Sequence, residues 1–364
     1  MTEWIDNPSI DFETSLCTEI SDLSVLSKIP LVSVFMITYN HSPYIAQAIE
    51  GVLQQETCFP IELIIGEDCS KDRTREIVLD FQQKYPGVIR VITSWKNVGA
   101  HKNMSRVRKA CRGKYIAFCE GDDYWHDQYK LKKQVDYLEN HPECGLVYSS
   151  YDIHKVKDNK TIKDFIRYRK WEIIENLKVS DYFVTLEKTG GRRVGILTCT
   201  VIIRKNLYEK IVELDPYLHN SGHFLMADTQ IWVDMINISS VYFIPESMAT
   251  HIITNESATR SKDIKNILRF QLSSAEIMIY LCDKYNLPPD IRSKLKKNRN
   301  GCLLRLAYYT RNADLAEDLR KTKDSWNYSE WLMYYGAKNI LFHNIYSVAC
   351  AFKNTLSKEH DEWQ

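Results

Sequence analysis

An α/β fold on an open, mostly parallel central sheet flanked by helices is the architecture these 364 residues predict. Three observations carry it. Short apolar runs alternate with amphipathic helical stretches from Leu31 to Tyr151, the pattern of successive βαβ units. Tyr39, Asp68, Asp122 and Asp123 all fall just past expected strand ends, at the edge where open α/β sheets bind their ligands. From Ser261 onward only helical patterning remains, which predicts a C-terminal helical appendage.

The elements follow in order. Residues 1–30 are polar and weakly patterned, a flexible lead or a peripheral helix. Leu31–Thr38 reads as a buried strand. Ser42 before Pro43 reads as an N-cap with proline at the first helical position, opening a helix whose apolar face is Tyr44, Ile45, Ala48, Ile49, Val52 and Leu53. Ile61–Gly66 is the second strand. A helix with Ile77, Val78, Phe81 and Tyr85 inward follows and ends at Pro86-Gly87. Val88–Ile92, a short helix over 101–112 and the strand Lys114–Cys119 come next. Leu131, Val135 and Leu138 mark another helix before a strand over Gly145–Tyr151. Residues 152–190 are charged and aromatic, as in a flap or insertion. Thr198–Arg204 reads as a strand, Asp228–Ile238 as a helix and Val241–Ile244 as a short strand. The expected division is a lead (1–30), an α/β domain (31–260) and a helical region (261–364).

Composition narrows the function classes. Lys+Arg 48 against Asp+Glu 47 leaves a net charge of +1, without the basic excess of a dedicated nucleic-acid binder. The ten cysteines are scattered, with no CxxC pair, which favours a reducing, cytoplasmic compartment over a disulfide framework. No signal-peptide pattern and no run near the length of a bilayer span is visible. No GxGxxG follows the first strand, so a dinucleotide oxidoreductase is disfavoured.

Residues Phe118-Cys119-Glu120-Gly121-Asp122-Asp123-Tyr124-Trp125 are the most informative stretch. An apolar strand ends in adjacent carboxylates beside a glycine, and hard divalent cations are often held by one or two carboxylates plus substrate phosphates. A metal–diphosphate site is the sharp reading, and a turn closing a surface strand the plain one.

These motifs resemble family 2 glycosyltransferases of the GT-A fold. Val32 to Asn40 resembles the family's opening strand, Leu63 to Thr74 its second strand and acidic nucleoside turn, Asn97-Val98-Gly99 a further signature, and Glu120-Gly121-Asp122-Asp123 its metal motif. The resemblance covers roughly residues 31–255, and the four motifs in order are far more specific than any one. Glu67-Asp68 stands where the family has paired aspartates, and the helical tail matches no pattern of the family.

The resemblance implies an inverting transfer from a nucleotide-sugar donor, a UDP-sugar by preference, to a hydroxyl of a glycan or lipid-linked glycan. It implies stacking of Tyr39 on a uracil-type ring, acceptance of the imide hydrogen by Asp68, and a ribose contact from Asp122. Asp123 would coordinate Mn²⁺ or Mg²⁺, with His251 completing the site. Asp228, in Ala227-Asp228-Thr229-Gln230, would be the general base. Each has a plain structural alternative: a packed aromatic for Tyr39, a turn residue for Asp68, a helix cap for Asp228, a structural histidine for His251. Lys102 and Arg106 read as solvated helix surface or as charge near the phosphates, and Asp234 as surface. A nucleic-acid polymerase with a Gly-Asp-Asp motif is the rival enzyme, but its motif sits in an antiparallel hairpin. A catalytically silent nucleotide- or sugar-binding module is the rival from another class. The basic and aromatic C-terminal helices read as a packing or homodimer appendage, or as a peripheral contact with the inner face of a membrane.

Overall fold

The structure is a computed structural model, and it describes residues 17–22, 24–27, 29–171, 177–188, 195–254, 263–322 and 325–344. The chain divides into two compact units, Met1–Thr254 and Asn255–Gln364.

The first unit is built on one sheet. Its strands are β1 (Thr18–Ile20), β2 (Val32–Thr38), β3 (Ile61–Glu67), β4 (Ile89–Thr93), β5 (Tyr115–Phe118), β6 (Tyr124–Trp125), β7 (Cys144–Lys155), β8 (Lys160–Ile162), β9 (Ile202–Arg204) and β10 (Ser240–Ile253). They lie in the order β1-β4-β3-β2-β5-β9-β7-β10-β6, with β8 paired to β7. The β4-β3-β2-β5 core is parallel, as the βαβ pattern requires. The sheet as a whole is mixed, because β9 is wedged antiparallel between β5 and β7.

Helices cover both faces of the sheet. Helices α1 (Ile45–Leu53), α2 (Thr74–Lys84) and α4 (Lys130–Asn140) bury Ile45, Ile49, Val78, Leu131 and Leu138 against Val34, Met36, Leu63 and Ile65. Strand side chains alternate, so Phe35 and Phe118 point to the opposite face. There Phe118 meets Tyr208 and Trp232 edge-on, at ring distances of 6.3 Å and 5.7 Å. Those rings sit on α7 (Lys205–Leu214) and α9 (Thr229–Ile238). Helix α3 (Ala100–Ala110) presses Asn103 and Val107 onto Gly66 so closely that a Cβ there would lie 2.4 Å from Asn103 Oδ1. The remaining helices of this unit are α5 (Phe165–Tyr168), α6 (Val179–Lys188) and α8 (Pro216–Asn220).

Several expectations change. Thr18–Ile20 adds an edge strand to β4 where the lead was read as unpatterned; the Glu19 carboxylate grips Arg90 at 2.8 Å and 3.0 Å. Ser42 is not the N-cap of α1: its N–H donates to Asp72 Oδ2 at 3.0 Å, and the helix opens after Tyr44 without a side-chain cap. Tyr85, expected to point inward, is the C-cap of α2 and is 45% exposed. The Thr198–Arg204 strand is a short 3-10 turn (Thr198–Thr200) followed by β9. Val241–Ile244 belongs to a 14-residue strand that runs on to Ile253, bending at register shifts against β7. Polar residues and Pro245 break its alternation, which hid the continuation. Part of the 152–190 insertion is a β7–β8 hairpin, held by Asp152, which accepts from Ser247 Oγ at 2.6 Å and Asp164 N at 2.9 Å.

The second unit contains α10 (Ile264–Lys284), α11 (Pro289–Thr310), α12 (Ala313–Thr322) and α13 (Tyr328–Lys338). Its core joins Leu304, Ala307, Ala316, Leu319, Tyr334 and Ala337. No helix among the described residues is long and apolar enough to cross a membrane.

Candidate active site

Strands β2, β3 and β5 run parallel, so the loops that follow them emerge on one rim. The loop after β2 ties its neighbours together. Asn40 N donates to Ser70 Oγ (3.0 Å) and Asn40 Oδ1 accepts from Lys71 N (2.8 Å), while His41 Nε2 lies 3.8 Å from Asp122 Oδ2. Gly121 N donates to Ile37 O at 3.1 Å. Asn40 (φ 56°) and Cys69 (φ 58°) both sit in the left-handed region, a cost tolerated where surrounding structure imposes it. Tyr39 is half-buried at the start of this loop.

The acidic turn after β3 is heavily bonded. Buried Glu67 accepts from Ser70 N (2.6 Å) and Thr93 Oγ1 (2.9 Å), with Arg75 Nε at 3.1 Å. Asp68 is also buried; its two carboxylate oxygens accept from Val98 N (2.8 Å) and Gly99 N (2.9 Å). Asp68 thereby holds the Asn97-Val98-Gly99 turn against the rim. Arg106 is neither solvated nor facing outward. It is buried, donating to Asn103 Oδ1 (2.8 Å), Ser94 Oγ (3.0 Å) and Glu67 O (3.0 Å), and stands 3.6 Å from Asp68. Its role is to lock the second acidic turn. Lys102 is half-buried on α3.

Past β5, three acidic groups gather: Glu120, Asp122 and Asp123. A Cβ on Gly121 would meet Thr38 Oγ1 at 2.6 Å and Ile45 Cδ1 at 3.0 Å, so the chain can turn here only with glycine. Burial lifts the Glu120 carboxyl well above the usual carboxylate range, and Asp123, Asp122 and Asp228 push it the same way. Asp122 is raised too, by burial and then by Asp123, with His41 and His251 pulling back. Asp123 Oδ1 accepts from Ile252 N at 2.9 Å, and His251 Nδ1 stands 2.9 Å and 3.1 Å from its two oxygens. The long β10 makes that meeting possible: its Ala249 and Thr250 pair with Trp125 and Tyr124 of β6, which delivers His251 beside Asp123. Burial pulls the His251 imidazole down, but Asp123 outweighs it, with Asp122 and Glu120 adding, and the group is lifted to about 9.

Among the described residues no three His, Cys, Asp or Glu side chains are grouped to hold a metal unaided. Asp123 and His251 nevertheless fit a divalent ion that takes its other ligands from a phosphate and water. Glu120 Oε2, buried without a hydrogen-bond partner, marks a carboxyl oxygen left unsatisfied there.

Asp228 opens α9. Its Oδ1 accepts from Thr229 N (2.7 Å), and Thr198 Oγ1 stands 3.5 Å from Oδ2. The capping role and a position within electrostatic reach of Glu120 coexist. Asp234, read as surface, is buried and paired with His219 Nε2 at 2.8 Å, joining α8 to α9. The structure therefore brings Asp122, Asp123, His251 and Asp228 to one acid cluster, with Tyr39 and Asp68 on the adjoining rim. Sequence reasoning missed His41, which had no signal, and gave Glu120 no role of its own although it stands within the motif. It named Arg106 as solvated surface or as charge near the phosphates, and not as the buried lock of the acidic turn.

Comparison with known proteins gives this geometry relatives. A family model described as "Glycosyl transferase family 2" matches residues 33–210. An uncharacterized protein of Mycobacterium tuberculosis is 46% identical over 117 residues, 32% of this chain and 34% of its own length. The chain thus spans about a third (34%) of the first curated relatives it matches. An uncharacterized glycosyltransferase of Rickettsia prowazekii is 26% identical over 280 residues, 74% of this chain and 81% of the relative. The putative teichuronic acid biosynthesis glycosyltransferase TuaG of Bacillus subtilis is 32% identical over 137 residues, 38% of this chain and 52% of its own. Among solved structures, residues 1–349 of S. aureus TarS in complex with UDP-GlcNAc superpose with a TM-score of 0.51 at 15% identity, covering 84% of this chain and 79% of that one. At that identity the likeness speaks for the fold alone.

Proposed function

We propose, from the premise that this chain belongs to glycosyl transferase family 2 through residues 33–210, that it is an inverting, metal-assisted glycosyltransferase acting on a nucleotide sugar. The observation that carries the reading is the acid cluster: Glu120, Asp122 and Asp123 after β5, facing His251 of β10 and within electrostatic reach of Asp228 at the head of α9. A UDP-sugar is the preferred donor, as in the complex of the structural neighbour TarS. The acceptor is a hydroxyl of a glycan or lipid-linked glycan.

Tyr39 offers its ring to the base. Each Asp68 oxygen keeps a second lone pair beyond its bond to the 98–99 backbone, so an imide N–H remains within its capacity. Asp122 faces the ribose. Asp123 and His251 would hold Mn²⁺ or Mg²⁺, which when bound offsets the charge gathering on the departing diphosphate. Asp228 takes the acceptor hydroxyl's proton as that oxygen bonds to the anomeric carbon. The bond from that carbon to the diphosphate breaks on the opposite face, and the configuration inverts. The C-terminal helices are a candidate contact with a membrane carrying the acceptor.

Thermal-shift titration with UDP, with and without Mn²⁺, tests the reading. Wild type should gain stability from UDP only when Mn²⁺ is present, and Asp123→Ala should lose that gain. Equal UDP responses in the two proteins would remove Asp123 from the metal site. The silent-module reading, favoured by the hydrogen bonds that occupy Asp123 and Asp228, predicts UDP binding without any UDP release from UDP-sugars.

A further inference from the structure

On the face of the sheet covered by α3, α7 and α9 there is a hollow that the proposed chemistry leaves unused. Helix α3 contributes His101, Ser105 and Arg108 to its wall, α7 contributes Tyr208 and α8 Asn220; Ala227, the residue before Asp228, closes it. Arg108 is half-buried, with its guanidinium 5.7 Å over the Tyr208 ring. Among the described residues it faces no carboxylate partner, unlike Arg106 two positions earlier, which is fully engaged. The carboxylate of Asp234 on α9 is taken up by His219 of α8, whose Nε2 stands 2.8 Å from it.

A half-buried cation without a counter-charge is costly unless something supplies the anion. Guanidinium matches the two-oxygen edge of a carboxylate or phosphate, and neutral hydroxyl and amide donors beside it complete such a cradle. His101 adds to this once an arriving anion draws a second proton onto the ring, against the downward pull of burial. Its Nε2 is buried with no partner, while backbone hydrogen bonds at Phe224 and Leu225 steady the ring.

We propose that Arg108, with Ser105, Asn220 and His101, forms a subsite for one anionic group, a carboxylate or phosphate, carried by a substrate beside the Asp228 end of α9. The inference rests on the glycosyltransferase reading for its placement but not for its chemistry. Two sources could present that group: an acidic sugar on the donor, or a phosphate on the acceptor.

Isothermal titration separates them. Full-length wild type and Arg108→Gln, which keeps the stem and a planar amide against Tyr208, are titrated with UDP-glucuronic acid and with UDP-glucose in the presence of Mg²⁺. Each is also titrated with inorganic phosphate, alone and saturated with UDP. A donor-side subsite gives about tenfold or greater preference for the uronate in wild type, lost in Arg108→Gln. An acceptor-side subsite gives phosphate binding to wild type that Arg108→Gln loses. The proposal is overturned if wild type shows neither, or if a normally melting Arg108→Gln keeps whichever wild type shows. Should Arg108→Gln fail to fold, Ser105→Ala with Asn220→Ala carries the same comparison. Phosphate binding that depends on Arg108 in a protein with no affinity for UDP or UDP-glucose would keep the subsite and sink the glycosyltransferase reading.

Discussion

Asp228 shows how one side chain can serve two ends. As N-cap of α9 it satisfies a backbone N–H, and asparagine performs that duty nearly as well. Asp228→Asn should therefore fold normally and bind donor, yet lose about 10²- to 10⁴-fold in turnover, read as UDP released from a UDP-sugar. Retention of the wild-type rate would disprove the base assignment. Gly121 is constrained by its neighbour Thr38 rather than by a left-handed backbone. Gly121→Ala should cost about 1–3 kcal/mol in urea unfolding, as overpacking does, and should blunt the Mn²⁺-dependent UDP response by displacing Asp122 and Asp123. At this scale the sequence was most readable where chemistry is declared by residue type. The acids of the Glu120-Gly121-Asp122-Asp123 motif announce themselves, whereas Arg106 and Asp234 look like surface residues until the packing of α3 and α8 encloses them.

The elements divide their labour along the strands. At the amino-terminal ends of β2 and β3, buried Glu62 accepts from Ser33 Oγ (2.6 Å), Arg90 Nη1 (3.0 Å) and Arg112 Nε (2.8 Å), a network that fixes the sheet and contacts no candidate site residue. Helix α4 carries a stranger feature behind the site. Lys130 is fully buried, with Nζ 2.8 Å from Gln134 Oε1 and 4.2 Å above the Trp125 ring. Burial pulls its amine from 10.5 down to about 7. Between those values the unfolded chain holds more protons than the native one, so this residue's contribution to stability rises with pH across that window and is least favourable below it. Lys130→Met should thus stabilise the protein at pH 6, by about 1–4 kcal/mol as for other buried charges replaced by apolar groups, and by less at pH 10. Denaturant melts at the two values check this; an equal gain at both would show that the amine carries no charge penalty. Helices α1 and α2 were legible because their 3.6-residue periodicity is unbroken. Strand β10 was only partly legible, since its bends and Pro245 interrupt the alternation that identifies strands.

For the molecule as a whole, both units expose apolar groups, Trp95 and Leu214 in the first among them. The second presents Tyr328 at 79%, Leu341 at 65% and Ile340 at 54% exposure, with exposed Lys296 and Lys297 on α11. Aromatic and aliphatic groups accompanied by basic ones suit an anionic lipid surface. Full-length protein should pellet with vesicles containing phosphatidylglycerol and less with phosphatidylcholine alone, and Ile340→Asp with Leu341→Asp should abolish the difference. Identical pelleting of that variant would remove the membrane reading. The sequence alone determined the alternation of strand and helix, the acidic strand ends and their order along the chain, because side-chain periodicity and turn chemistry are local properties. Only the tertiary structure decided that β9 enters antiparallel, that His251 reaches Asp123 across 128 positions of sequence, and that Arg108 faces a hollow with no carboxylate partner among the described residues. Those outcomes depend on which distant segments pack together, and a cation's or a carboxylate's role is set by the neighbours and burial that packing gives it.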